Sequence, residues 1–373
     1  MGWATLQCTR EEVNKAGRLL AQAPTPDDVP DDAFTVIGNW RSCHSWPLNT
    51  FKLWLLQKAQ QVDEKSFVAQ RLKRLSSIAL KLQRFPEMKL SQMQDLAGCR
   101  AVVATVADVE KLVEKYRKSD LKHTLVHEDD YIKRPKESGY RGVHLVYRYF
   151  SDKNVKYNGL KVEIQLRSVL QHAWATAVET VGTFTQQALK SSQGQQDWLR
   201  FFELMGTEIA FRERTALVPN TPSARSDLRD ELEDYAVKLD VENHLSIYAA
   251  TLKMPERAGE MKTAKFYLME LDPSSMRLRI TGYKSDELER ASEDYLKVER
   301  KAIASGKDAV LVSVESFRAL KRAFPNYYLD THRFIQAVKR ALHRSRRKSD
   351  QRQREFRFNG DSSDSSDSSD SML

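Results

Sequence analysis

Lys161-Val-Glu163-Ile-Gln165-Leu-Arg167 is the stretch on which the reading of the fold turns. In an extended chain Val162, Ile164 and Leu166 point to one side, and Glu163, Gln165 and Arg167 to the other. The spacing predicts a strand with a core face and a second face bearing a carboxylate, an amide and a guanidinium. Such a row is more often the solvent face of an edge strand, so the neighbouring segments must decide. Upstream lie two further β-branched runs, Arg100-Ala-Val-Val-Ala-Thr105 and His144-Leu-Val-Tyr-Arg-Tyr-Phe150. Between them the pattern predicts an amphipathic helix near Asp108 to Tyr116, with Asp108 as its N-cap. Strands alternating with helices predict an α/β (α+β) fold in which helices flank a mixed β-sheet.

Working outward, Arg10 to Gln22 reads as a short helix, followed by the turn-rich stretch Ala23 to Asp32. From Trp40 to Leu82 apolar residues recur at helical spacing: Phe51, Trp54, Leu55, Ala59, Val62, Phe67, Leu72 and Leu75. Val218-Pro-Asn-Thr-Pro-Ser breaks the chain, and one long helix is predicted from Asp227 to Leu252. Phe266 to Leu271 and Arg277 to Thr281 flank the turn Asp272-Pro-Ser-Ser as a hairpin. A helix from Asp286 to Ile303, a strand from Ala309 to Val314 and a helix from Leu329 to Leu342 complete a ββαβα unit. His343 to Arg357 is basic and Asp361 to Asp370 repeats Asp-Ser-Ser, both reading as disordered tail. The expected domains are an N-terminal helical extension at 1–39, a catalytic domain at 40–217, an accessory helix plus ββαβα unit at 223–342, and the tail at 343–373. Tyr248, Tyr283, Tyr295, Tyr327 and Tyr328 in the later part read as core aromatics.

Composition narrows the function. Glycine is scarce, 14 in 373 residues, which argues against a glycine-rich phosphate loop. No apolar run approaches the ~20 residues of a membrane-spanning helix, and Met1 to Arg10 lacks the pattern of a signal peptide. Cys8, Cys43 and Cys99 lie far apart with no CxxC pair, which suits a reducing compartment and no zinc site. A cytoplasmic location, away from membranes, is therefore expected. The net charge of +9 points to a polyanionic partner without choosing among nucleotide, nucleic acid and acidic protein.

Four clusters carry candidate chemistry. In Arg71-Leu-Lys73-Arg-Leu-Ser-Ser77-Ile-Ala-Leu-Lys81, a helix would put Lys73, Ser77 and Lys81 on one face, suited to a triphosphate. Alone, it would more often be a solvated basic face. Asp95-Leu-Ala-Gly98-Cys-Arg100 puts a carboxylate at the mouth of a strand, with Gly98 read as allowing close backbone approach. Asp130 to His144 gathers Lys136, Ser138, Tyr140 and His144 on a glycine-containing loop, where Tyr140 offers a face to a purine. The fourth cluster is Glu163, Gln165 and Arg167. Asp95 and Glu163 together suit Mg²⁺ held between carboxylates and phosphates.

In this order the clusters resemble the synthetase domain of the RelA/SpoT family, whose pattern runs RxKxxxS, DxxGxR, DYIxxPKxxGYxxxH and ExQxR before a His-containing helix. The last piece corresponds to Gln171-His172-Ala-Trp174. The resemblance covers roughly residues 40–215 and implies a nucleotidyltransferase-like synthetase domain that moves pyrophosphate from ATP to a ribose 3′-hydroxyl, releasing AMP. It implies that Arg71, Lys73, Ser77, Lys81 and Arg100 hold ATP, with Arg71 and Arg100 against adenine. Asp95 and Glu163 would bind Mg²⁺, and Glu163 would take the proton of the attacking hydroxyl. Lys136, Ser138, Tyr140, His144, Gln165 and Arg167 would surround the acceptor. Gly142 stands where many members carry Ser. His127-Glu-Asp-Asp130 matches the hydrolase signature of bifunctional members only superficially, so alarmone hydrolysis is not expected. The acceptor implied first is GDP or GTP, giving a (p)ppGpp-type alarmone of the stringent response. The alternative is a toxin-type member acting on the 3′ CCA end of tRNA, with the C-terminal unit as regulator or antitoxin-like module. Assembly into a homo-oligomer stays open.

Overall fold

The computed structural model describes residues 3–23, 28–188, 194–251, 263–272, 274–275, 277–305, 307–314, 319–320 and 331–342. Its centre is an eight-stranded sheet in the order β3-β4-β5-β2-β1-β8-β6-β7. The strands are β1 (Phe67–Leu72), β2 (Ala97–Val103), β3 (Thr124–Asp130), β4 (Val143–Arg148), β5 (Lys161–Ser168), β6 (Phe266–Asp272), β7 (Arg277–Tyr283) and β8 (Asp308–Ser313). β2 and β5 run parallel and the other neighbours antiparallel, so the sheet is mixed, as the alternation of segments predicts.

The face of β5 carrying Val162, Ile164 and Leu166 is fully buried, all three at 0% exposure. They pack with Leu55 of α3 (Ser45–Val62) and with Val109 and Leu112 of α5 (Val106–Arg117). Burying three such side chains stabilises by about 1.5–3 kcal/mol each, which fixes the register of the polar row on the other face. α1 (Arg10–Gln22) starts with a reciprocal cap: Thr9 N donates to Glu12 Oε2 at 2.7 Å and Glu12 N to Thr9 Oγ1 at 3.2 Å. α2 (Asp31–Cys43) completes this helical layer, and α4 (Leu75–Arg84) packs beside α1. On the opposite side, α6 (Val169–Ala188) and α7 (Gly194–Glu213) form an aromatic core of Trp174, Trp198, Phe201 and Phe202. α8 (Arg225–Lys238), α9 (Val241–Thr251) and the helical residues 332–342 join it.

Several expectations change. Residues 67–72 are strand β1, not a continuation of the helix read from Trp40, because both edges of this segment pair in the sheet: Phe67–Leu72 with β2, and Gln70–Arg71 with Ser313–Val312 of β8. Arg71 is therefore the last but one residue of a strand, Lys73 lies in the connection, and only Ser77 and Lys81 sit on α4. The cap of α5 is Thr105, whose Oγ1 accepts from Asp108 N at 3.2 Å, with Asp108 in the first turn. The single helix expected from Asp227 to Leu252 is two, broken where Asp240 adopts a φ of 42°. β3 is a further strand that the sequence reading did not assign. The hairpin β6–β7 and α10 (Leu288–Ala304) stand where expected, with Tyr283 and Tyr295 in the core. Pro273, Tyr327, Tyr328, the start of the last helix and the tail 343–373 lie outside the described residues, as does the Tyr248 side chain.

The strands after residue 263 extend the sheet through the β1–β8 seam. Phe67, Ala69 and Val102 share one core with Tyr267, Met269, Val310 and Val312. Beside it, Arg41 of α2 is 1% exposed and pairs with Glu299 of α10, 2% exposed, through contacts of 2.7 and 3.2 Å. Glu299 also accepts from Tyr295 Oη at 2.6 Å and from Leu75 N, the first residue of α4, at 2.7 Å. Lys52 Nζ donates to Ser313 Oγ at 3.1 Å, and Arg74 pairs with Asp308.

Candidate active site

Parallel pairing of β2 with β5 sets Gly98 against Glu163 and Arg100 against Gln165. The exposed faces of these strands and the end of β1 line one cleft with Arg71, Lys73, Asp95, Arg100, Glu163 and Gln165 around it. Gly98 is not required by crowding: a Cβ there would meet only Glu163 O at 3.8 Å, ordinary contact.

Asp95 accepts from Lys73 Nζ through Oδ2 and from Lys81 Nζ through Oδ1, both at 2.8 Å. Burial opposes ionisation of Asp95, but the two ammonium groups outweigh it and hold its carboxyl below the usual range. Lys73 and Lys81 thus converge without sharing a helix face. Ser77 is half-buried one turn before Lys81. Arg100 is disfavoured in its charged form first by burial, then by nearby Arg167 and Arg71, and is supported by Glu179 of α6.

Across the cleft the side chains close a ring of hydrogen bonds. Arg167 Nη2 donates to Tyr140 Oη at 2.8 Å and to Gln165 Oε1 at 3.2 Å. Gln165 Nε2 donates to Glu163 Oε2 at 2.6 Å. His144 lies 2.9 Å from Glu163 Oε1 through Nδ1 and 2.6 Å from Tyr140 Oη through Nε2. Burial alone would lower the His144 pKa, yet Tyr140 and Glu163 together raise it to about 9, so at neutral pH both ring nitrogens donate. Burial would raise the Glu163 carboxyl; His144 and Gln165 hold it low, while nearby Asp95 pushes the other way. Likewise Arg167 and His144 pull the Tyr140 phenol down against burial.

Tyr140 is fixed from several sides. Arg167 lies over its ring at 5.0 Å and Lys136 at 5.5 Å, with Lys136 nearer Tyr131 at 4.3 Å. Trp174 of α6 meets it edge-on at 6.3 Å and donates through Nε1 to Phe202 O of α7 at 2.9 Å. Ser138 is exposed in this loop. Gly139, at φ 89°, would place a Cβ 2.8 Å from Phe202 O, and Gly142, at φ 146°, would place one 3.2 Å from Leu166 O and Arg167 Cγ. Gly142 is thus a steric requirement of this chain. The sequence did not disclose Arg141, 3% exposed, which donates to Thr215 Oγ1 at 3.0 Å and to Ala216 O and so anchors the loop. Gln171 proves structural: it accepts from Ser168 N at 3.1 Å and donates to Glu213 Oε2 at 2.9 Å, while His172 is buried against Phe67.

Of the residues named from the sequence, Arg71, Lys73, Asp95, Arg100, Glu163 and Gln165 line one cleft, Lys81 reaches it through Asp95, and Tyr140, His144 and Arg167 join it through the hydrogen-bonded ring. Residues 70–186 match the family model described as "Region found in RelA / SpoT proteins". Over 113 residues the chain is 37% identical to the GTP pyrophosphokinase YjbM of Bacillus subtilis (strain 168), covering 30% of this chain and 53% of that protein. It is 32% identical over 113 residues to the GTP pyrophosphokinase YwaC of the same organism, covering 28% and 52%. The chain therefore spans about half the length of the curated relatives it matches. Among solved structures it is similar to small alarmone synthetase 1 from Bacillus subtilis, at 24% identity and a TM-score of 0.40, covering 47% of this chain and 91% of that one. The matched residues 70–186 hold Asp95 and Glu163, Lys73 and Lys81, and the whole hydrogen-bonded ring. Among the described residues no helix is long and apolar enough to cross a membrane.

Proposed function

We propose that this chain is an ATP-dependent pyrophosphokinase that transfers the β,γ-pyrophosphoryl group of ATP to the 3′-hydroxyl of GDP or GTP. The observation that carries it is the arrangement around one cleft of Asp95 with its two lysines on one side and Glu163 within the Tyr140 ring on the other. Names of the curated relatives favour a guanine nucleotide as acceptor.

Lys73 and Lys81, released from Asp95, offer two cations to a triphosphate, with Ser77 beside them and Arg71 and Arg100 toward adenine. The acceptor base takes the face of Tyr140 over which Lys136 lies, and the ring holds Tyr140 and Glu163 in fixed relation. The 3′-oxygen attacks the β-phosphorus, the bond from that phosphorus to the bridging oxygen of AMP breaks, and the hydroxyl proton passes to Glu163. His144, protonated on both nitrogens, keeps Glu163 oriented and ionised until then. Among the described residues no cluster of three or more His, Cys, Asp or Glu converges. Two carboxylates in one cleft nevertheless fit Mg²⁺, which takes one or two protein carboxylates and completes its shell with phosphates and water. Asp95 and Glu163 would hold it, and when bound it supplies charge neutralisation to the phosphates.

The test is incubation of the full chain with γ-labelled ATP, Mg²⁺, GDP, GTP and bulk tRNA. Label is expected in guanine nucleotide; no transferred label overturns the reading. Label in tRNA would instead support the 3′ CCA end as acceptor, a second reading favoured by the basic cleft described next.

A further inference from the structure

A cavity of about 490 Å³ opens where α1, the short turn Leu90–Gln92 and the Arg148–Lys161 end of the β4–β5 pair meet. Arg10, Lys89, Arg148 and Lys161 face it, with Asn14, Ser91 and Gln92, and among the described residues no carboxylate lines it. Its size is that of a small-molecule site and its lining is polar and cationic.

The placement of these cations runs against ordinary stability. Arg148 and Lys161 are direct cross-strand partners on β4 and β5, so two like charges face each other on one side of the sheet. Arg10 occupies the first position of α1, where the helix dipole already presents positive charge. Its guanidinium reaches across to within 3.6 Å of the Cβ position of Gly159, the glycine of the turn before β5. Burial, then Arg148 and Arg10, disfavour the charged form of Lys161. Among the described residues none of the four is held in an ion pair. An anion in the cavity would relieve all of these costs together.

The cavity and the candidate site are each lined by residues of β5. Lys161 shares the polar face of β5 with Glu163, about 7 Å along the strand, so the row Arg167, Gln165, Glu163 continues directly into the basic cleft. It is separate from Lys73 and Lys81, which are engaged with Asp95.

We propose that Arg10, Lys89, Arg148 and Lys161 form a second phosphate-binding cleft, taking a ligand that carries more than one phosphate and lying against the Glu163 end of the reaction centre. A nucleic-acid backbone and a free nucleoside polyphosphate both present that chemistry. This assignment stands on the cleft itself and does not depend on pyrophosphate transfer.

Titration calorimetry of the full chain with inorganic tripolyphosphate tests it, with circular dichroism confirming that the variants fold. The wild type is expected to bind two equivalents; Arg148→Gln/Lys161→Gln is expected to lose one and Lys73→Gln/Lys81→Gln the other. Undiminished stoichiometry and affinity in Arg148→Gln/Lys161→Gln, or a wild type that binds no tripolyphosphate, overturns the proposal. A second arm follows labelled bulk tRNA by fluorescence anisotropy across KCl concentration. A loss of about tenfold in Arg148→Gln/Lys161→Gln, with the salt slope reduced by about 2, assigns the cleft to a nucleic-acid backbone. Unchanged tRNA binding together with the lost tripolyphosphate equivalent assigns it to a free polyphosphate.

Discussion

At the scale of single residues the candidate site is a closed circuit: Arg167, Tyr140, His144, Glu163 and Gln165 each satisfy the next. Half of that circuit was legible in the sequence, because strict alternation puts Glu163, Gln165 and Arg167 in one row. The closing half was not, since His144 reaches Glu163 only once β4 pairs with β5 in its observed register. Replacing Glu163 by Gln leaves shape and most hydrogen bonding intact, so transfer is expected to fall by about 10²–10⁴-fold while the melting temperature stays nearly constant. Comparable turnover by that variant would remove Glu163 from its role. The histidine adds a pH signature. Its folded pKa, about 9, exceeds the ordinary 6.5, so the stability it contributes is fully present below about 6.5 and is lost as pH rises through about 9. Denaturant melts of wild type and His144→Gln between pH 6 and pH 10 should therefore converge at the alkaline end; a constant gap would contradict the charged imidazole.

At the scale of elements, α6 and α7 act as a clamp on the loop that carries Gly139 and Tyr140. Gly206 of α7 lies so close that a Cβ there would meet the Cα and O of Gly139 at 2.9 Å. Ala in a helix is intrinsically better than Gly by about 1 kcal/mol, so Gly206→Ala in isolation would stabilise. Here backbone rather than a yielding side chain blocks it, and the loop must shift. We expect a raised KM for the acceptor with the KM for ATP unchanged, read from steady-state rates with each substrate varied. Helix and strand were hardest to separate at residues 67–72. Phe67 and Leu72 continue a helical spacing, and only the pairing partners at 97–102 and 312–313 make the segment extended. The break at Asp240 was equally hidden, because neither a proline nor a glycine marks it.

For the whole molecule, the decisive contacts join residues too far apart in the chain for any local pattern to reveal. Arg41 and Glu299 are separated by 258 positions, yet form a buried pair that also receives the first amide of α4. Removing one partner strands the other charge, so Glu299→Ala is expected to cost about 3–5 kcal/mol in chemical denaturation. A loss below 1 kcal/mol would show that water reaches the guanidinium. The composition of the C-terminal strands announced a hairpin and a third strand, but not that they would share a core with β1. That sharing predicts one calorimetric transition for the chain, measured by whether all strands melt together; two well-separated peaks would mean the seam carries little of the cohesion.

The same seam restricts how the C-terminal strands can influence β1, whose end bears Arg71. Side chains on a strand alternate, so sliding β8 along β1 by a single position would turn Val312 out of the shared interior and drive a neighbour of the wrong character into it. Gradual adjustment is thereby forbidden. Any message passing across this border must be digital: the strand is either seated or detached, with no graded setting between.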